Sequence, residues 1–216
     1  MKRKCKWLAA VLPVVLLCGC GGRQGDLLLA QAIYQEQEAQ TVQLRILCLE
    51  SEPSANAEDA QPKPVLLAGK GATLEEAWQA AQQQTGGQVF LGQCRVWMLG
   101  PGQAQRLNSE DAEFWMQQDP GCGSMNLWLV DLSPQALEEP KQPAALADAV
   151  KNVQEDSPAY LAAGQELLLL PQVNLSAAAA QVEAEVLYRA GEPVLRWTDA
   201  ERALALWMQG KGQTLT

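Results

Sequence analysis

The sequence predicts an α+β fold: a mixed β-sheet with packed helices and a small C-terminal strand–turn–helix sub-domain. Three observations predict it. Residues 69–100 read as one capped helix followed by one long strand whose residues are mostly apolar on both faces. Val42, Leu44, Ile46 and Cys48 alternate with Thr41, Gln43, Arg45 and Leu47, the period of a half-buried strand. Towards the C-terminus, a strand over 181–188 precedes a turn at Ala190-Gly191-Glu192-Pro193, a strand over 194–197 and a closing amphipathic helix.

Taken in order, residues 27–35 read as a first strand, rich in Leu, Ala and Ile. The polar link 36–40 pairs it with 41–48 as a hairpin. Residues 50–64 hold Ser, Pro, Asn, Asp and Glu with almost nothing apolar, a surface loop. A short edge strand over 65–68 then leads into the central helix. Thr73 is its N-cap and Glu76, three residues on, reaches back to complete a capping box. Leu74, Ala77, Trp78 and Ala81 share one face. Gly86 and Gly87 are expected to stop the helix in the left-handed conformation that glycine enters without a Cβ clash. The strand 89–99 follows, with Gly92 expected to mark a bulge, and Gly100-Pro101-Gly102 turns the chain.

Ser109 is placed to cap a second helix, with Glu110 and Asp111 at its positive end and Phe114 and Trp115 turned inward. Residues 125–131 read as a strand, and Ser133-Pro134 opens another helix with proline at its first position. Residues 144–153 are again helical. The stretch 154–172 has few regular signals beyond the apolar run 167–170, so a sub-domain boundary is placed there. The expected organisation is an N-terminal α+β domain over 27–153 and a small second sub-domain over 172–216. Thr198 with Glu201 makes a second capping box, and Ala203, Leu204, Leu206, Trp207 and Met208 form the apolar side of the closing helix, stopped by Gly210.

The N-terminus reads as an address. Lys2, Arg3, Lys4 and Lys6 are a basic region, and 7–17 is an apolar run too short to span a bilayer comfortably. It ends in Leu17-Cys18-Gly19-Cys20, which resembles a bacterial lipobox, with Cys20 as the residue that receives lipid. Residues 1–19 are then a lipoprotein signal peptide and 20–26 the lipid anchor and glycine-rich tether. Acyl chains on Cys20 hold the folded part at a membrane surface, on the extracytoplasmic face. Loss of 1–19 leaves 12 basic and 25 acidic residues, a net charge of −13. Such a body is held at an anionic membrane by its lipid and not by its own surface.

The central stretch also carries a family resemblance. Gly69-Lys70, the acidic helix start, and then Val89-Phe90-Leu91-Gly92-Gln93-Cys94-Arg95-Val96-Trp97-Met98-Leu99-Gly100 resemble the N-terminal domain of the Ger(x)C family, the lipoprotein C subunits of spore germinant receptors. The family's Phe-Gly-His-Leu-Arg-like run corresponds to Leu91, Gly92, Gln93, Cys94 and Arg95. Gln93 replaces the histidine, so no role resting on that imidazole carries over. Gln118-Asp119-Pro120 stands where the family has an Arg-x-Pro-like turn, and Gly210-Lys211 matches the end of its small second domain. Family members continue into a third domain, and this sequence ends at Thr216. The family-motif residues are Gly69, Gly92, Arg95 and Gly100, in structural roles.

Composition and residue types exclude more than they assign. The 216 residues are 48% hydrophobic and 19% charged, a folding composition. A net charge of −9 argues against nucleic-acid binding, which needs a positive face. There is no histidine, which removes Ser-His-Asp and Cys-His catalysis and His-containing zinc sites. The acid pairs Glu75/Glu76, Glu110/Asp111 and Glu138/Glu139 read as caps and solvated faces, and Glu183/Glu185 share a strand face without a visible base or metal. Cys48, Cys94 and Cys122 allow one disulfide with one free thiol, or three free thiols, and read as small core residues. No catalytic, cofactor-binding or metal set emerges.

The resemblance implies a non-enzymatic, membrane-anchored subunit that acts in assembly or signalling of nutrient-triggered germination, at the spore inner membrane. Its implied partners are the multi-pass membrane receptor subunits, with no nucleic acid. Trp115 and Trp207 are candidates for that contact, since interfaces favour tryptophan. The alternatives are a free-standing lipoprotein that captures a solute or wall fragment, and a carboxylate-dependent wall hydrolase.

Overall fold

The computed structural model describes residues 27–50, 62–139, 141–151, 166–176 and 179–198, together with Ala159, Ala162 and Glu201. The fold is α+β. Among the described residues nine strands form one mixed sheet in the order β3 (63–71), β2 (41–50), β1 (27–38), β5 (96–99), β6 (126–130), β7 (167–176), β8 (179–189) and β9 (192–198), with β4 (88–90) also paired to β1.

The hairpin β1 (Leu27–Glu38) and β2 (Thr41–Glu50) is longer than the sequence suggests and closes on two residues, Ala39 and Gln40, between the pair Glu38 and Thr41. β1 runs on through Gln35 and Glu36 because both polar side chains find buried partners, described below. A bulge between Ala30 and Ala32 changes which side chains face which way. Before it, Leu28 and Ala30 point to one face; after it, Ile33 points there and Ala32 and Tyr34 point to the other.

β3 (Lys63–Gly71) is a nine-residue edge strand against β2, not the short one expected over 65–68. α1 (Leu74–Gln82) returns across it. Thr73 caps it as read, with Oγ1 accepting the Glu76 N–H at 3.2 Å; Glu76 reaches back one residue further than a capping box requires, to the Ala72 N–H at 2.8 Å. The helix ends at Gln82 with Gln83 as its C-cap in a right-handed conformation. Gly86 and Gly87 therefore lie past the end and do not cap it. Among the described residues only Gly191 is a glycine with positive φ.

The long strand expected over 89–99 is two strands, β4 (Gln88–Phe90) and β5 (Val96–Leu99). Both run parallel to β1, and the break between them stands opposite its bulge. The Arg95 N–H donates to the Gln31 carbonyl at 2.9 Å, so the extra residue of the bulge holds the loop of the break. Gly92 thus sits in a loop between strands and not at a bulge within one.

α2 (Ser109–Gln118) is capped by Asn108, whose side chain accepts the Glu110 N–H at 3.1 Å; Ser109 is the first helical residue. β6 (Asn126–Val130) follows, then the short α3 (Pro134–Leu137), with Ser133 as its cap, and α4 (Gln142–Lys151). The helices cover both faces of the sheet. Leu74, Ala77, Trp78 and Ala81 of α1 and Ala112 and Trp115 of α2 pack with Ile33, Trp97 and Leu127 on one face. Leu137 of α3 and Leu146, Ala147 and Val150 of α4 pack with Tyr34, Met98 and Trp128 on the other. Arg45 on β2 donates from Nε to Glu138 at 2.7 Å, which ties the sheet to the end of α3.

β7 (Leu167–Ser176) lies parallel to β6, with Leu129 opposite Gln172. β8 (Ala179–Arg189) and β9 (Glu192–Thr198) complete the meander. The strands expected in a 172–216 sub-domain thus extend the sheet of residues 27–153. Leu168, Leu170, Val186 and Tyr188 share a core with Trp97 and Trp115. The Leu107 N–H donates to the Gly191 carbonyl at 2.8 Å, and the Tyr188 hydroxyl to the Ala104 carbonyl at 2.7 Å. The turn is Ala190-Gly191, φ 50° and 80°, the positive pair that suits a two-residue hairpin. Past β9, Glu201 accepts the Thr198 N–H and hydroxyl, each at 2.9 Å, which is the reach-back half of the second capping box. These bonds hold its carboxyl below the usual range. Leu204, Trp207 and the rest of the closing helix lie outside the described residues.

Candidate functional site

The family-motif residues are distributed through the sheet. Gly69, on β3, lies directly beneath α1: a Cβ there would run into the Ala77 carbonyl oxygen, so the helix backbone rests on the strand backbone. Gly92 is in the loop between β4 and β5, where a Cβ would meet the Phe90 ring at 2.7 Å. Arg95 ends that loop. Its backbone is bonded on both sides, the N–H to Gln31 and the carbonyl to the Asn126 N–H at 2.7 Å, while its side chain is exposed. Gly92 and Arg95 are neighbours; Gly69 and Gly100 are each elsewhere. Cys20 lies outside the described residues.

Gly100 belongs to a built polar cluster at the carboxyl end of β1 and β5. Glu36 is only 7% exposed, and its Oε1 accepts the N–H of Gly102 at 2.7 Å and of Gln103 at 3.2 Å. Tyr34 donates to the Leu132 carbonyl at 2.6 Å and stands 3.2 Å from Glu36 Oε2. Burial, and then the Glu36 charge, push the Tyr34 hydroxyl well above its usual pKa. A Cβ on Gly100 would collide with Glu36 Oε2 and the Tyr34 hydroxyl, so only glycine fits the start of this turn. On the other face, Trp97 Nε1 donates to Gln35 Oε1 at 3.2 Å. Gln35 Nε2 donates to Asp111 Oδ2 at 2.7 Å, and Gln103 Nε2 donates to the same oxygen at 2.9 Å. Burial raises the Asp111 pKa, and the two amide bonds offset part of that rise.

Asp111 opens onto a cleft of about 710 Å³ lined also by Gln37, Leu74, Glu75, Arg106 and Phe114. It sits between the first turns of α1 and α2, beyond the carboxyl ends of β1 and β5. As a sequence, Glu110 and Asp111 read together as helix-start acids; in the fold Asp111 is a half-buried carboxylate gripped by two amides. Gln35, Glu36, Gln103 and Arg106 are site residues absent from the sequence-based expectations. The available signal was Gln35-Glu36, two polar residues directly following an apolar strand pattern.

The three thiols are free and buried. Burial pushes Cys48 and Cys122 up to about 12 and moves Cys94 in the same direction. Trp115, considered above for an interface, is 0% exposed and belongs to the core. Among the described residues there is no group of three or more Cys, Asp or Glu placed to hold a metal ion, and no helix long and apolar enough to cross a membrane. No family model, curated protein or solved structure matches the chain.

Proposed function

We propose that the chain is a non-enzymatic, membrane-anchored lipoprotein subunit of a spore germinant receptor-like complex, acting in assembly or signalling of nutrient-triggered germination. The observation that carries this reading is the order of its elements after the expected lipid cysteine. β1 begins at Leu27, seven residues past Cys20. The hairpin, the edge strand with Gly69, the capped helix, the Gly92–Arg95 loop and the strand that ends just before Gly100 follow in the sequence order on which the Ger(x)C resemblance rests. The absence of histidine from the sequence supports a non-catalytic role.

On this reading, Cys20 carries the acyl chains and the described residues stand outside the cytoplasm, beside multi-pass receptor subunits. Deletion of the gene is expected to slow nutrient-triggered germination and to leave germination by dipicolinate or surfactant intact, because those triggers bypass receptors. Affinity purification of the lipidated protein from spores should bring down the multi-pass subunits. Normal nutrient germination in a deletion strain without a second copy would remove the receptor reading and leave the solute-binding lipoprotein as the better account.

A further inference from the structure

We propose that the cleft beyond the carboxyl ends of β1 and β5 binds a small zwitterionic solute, one that carries an ammonium and a carboxylate on a short skeleton. Three observations lead there, and none depends on the receptor reading.

The first is place. The chain leaves β1 towards β2 on one side and leaves β5 towards β6 on the other, and these two strands are parallel neighbours. A divergence of this kind opens a crevice outside the carboxyl ends of the strands, where open sheets with parallel strands bind their ligands. The second is size. A cleft of about 710 Å³ lies there, within the range of small-molecule sites. Its walls include Val42, Leu74 and Phe114, enough to cover a short aliphatic skeleton.

The third is charge. Arg106 and three carboxylates, Glu75, Glu110 and Asp111, line the same cleft. The ion pairs of the described residues are Arg45–Glu138 and Lys151–Asp148, so Arg106 stands more than 4.0 Å from each of those carboxylates. Opposite charges that share a cleft without meeting leave a gap that a molecule with both charges can bridge. Asp111 is fixed for this. Its Oδ2 is taken by the amides of Gln35 and Gln103, both buried, and among the described residues its Oδ1 takes no hydrogen bond. The ligand's ammonium goes to Asp111 Oδ1, with Glu110 beside it, and its carboxylate to the Arg106 guanidinium, the group best shaped to grip it.

The test is a titration of the purified mature protein, in detergent micelles and labelled with 15N, against zwitterions of increasing length: glycine, β-alanine and γ-aminobutyrate. Ethylamine and propionate serve as half-ligands. At least one zwitterion should move the amide signals of Leu74, Gly102, Gln103 and Phe114 at about 10 mM or below, and each half-ligand should bind at least about tenfold more weakly. Arg106→Gln and Asp111→Asn should each weaken the zwitterion by about tenfold or more. Arg106 is exposed and has no side-chain partner among the described residues, so its variant keeps the fold and remains informative if Asp111→Asn disturbs the core. The proposal is overturned if no zwitterion moves those signals, if ethylamine alone binds as well as the best zwitterion, or if Arg106→Gln leaves its affinity unchanged.

Discussion

The Glu36 carboxylate accepts the backbone N–H of Gly102 through Oε1 at 2.7 Å, joining residues 66 positions apart. The same oxygen accepts the Gln103 N–H at 3.2 Å, so one buried charge holds the turn that follows β5. Glu36→Ala leaves two backbone donors without their partner and is expected to cost about 2–3 kcal/mol. Glu36→Gln keeps an acceptor oxygen at the same place and should cost about 1 kcal/mol. Denaturant melts of the two variants check this; equal losses would show that the negative charge, which both variants lack, and not the acceptor oxygen, matters.

Gly100 and Gly86 should respond oppositely to alanine. At Gly100 the new Cβ strikes Glu36 Oε2 and the Tyr34 hydroxyl, both held by other bonds. Overpacking of this kind costs about 1–3 kcal/mol. At Gly86 nothing lies within 4 Å of the new atom and φ is not positive. Gly86→Ala should therefore stabilise the protein by about 0.4–1 kcal/mol, through the lower entropy of its unfolded chain. Melting temperatures of the pair, measured under one set of conditions, give the two signs.

Trp115 anchors the packing of the helices on the sheet. Its ring meets Trp78 edge to face, with centroids 5.6 Å apart at 81°, and Phe114 in the same manner at 5.1 Å. Trp115→Ala is expected to cost about 3–5 kcal/mol. Among the described residues the buried Trp115 Nε1 has no hydrogen-bond partner, so Trp115→Phe gives up the ring volume without a bond to lose there and should cost clearly less. A loss below about 1 kcal/mol for the alanine variant would contradict the core assignment.

How much of this was legible follows from the range of each interaction. The Thr73 cap and the inward face of α1 are local, set within two turns of helix, and they read correctly. The pairing of β1 with β4 and β5 is not local. Nothing near Gly92 announces that Gln31, more than sixty residues earlier, is the extra residue of a bulge whose carbonyl holds Arg95. An apolar run opposite a bulge therefore reads as one strand and folds as two. The boundary expected in 154–172 likewise rests on local signals alone; the parallel pairing of Leu129 with Gln172, which places β7 in the same sheet as β6, is not among them. The cleft was hidden for the same reason, since Gln35 on β1 reaches Asp111 only once β1 and β5 are neighbours.

Asp111 should make stability depend on pH in a direction unusual for an aspartate. Its folded pKa is raised, first by burial, which outweighs the bonds from Gln35 and Gln103. The folded state therefore holds the proton more tightly than the unfolded chain does. The contribution is fully present below the ordinary aspartate value of about 4 and is lost as the pH rises through the folded pKa. Asp111→Asn carries no titrating proton, so the wild type should lose stability relative to the variant as the pH rises from about 4 towards neutral. Urea midpoints of the two proteins across that interval measure the difference. A wild type that instead gains on the variant with rising pH would mean that the two amides dominate over burial. A zwitterion in the cleft sets its ammonium against the ionised form and so lowers the Asp111 pKa. Saturating γ-aminobutyrate, if it is the length that fits, should then shrink the pH-dependent difference, which links this measurement to the occupant of the cleft.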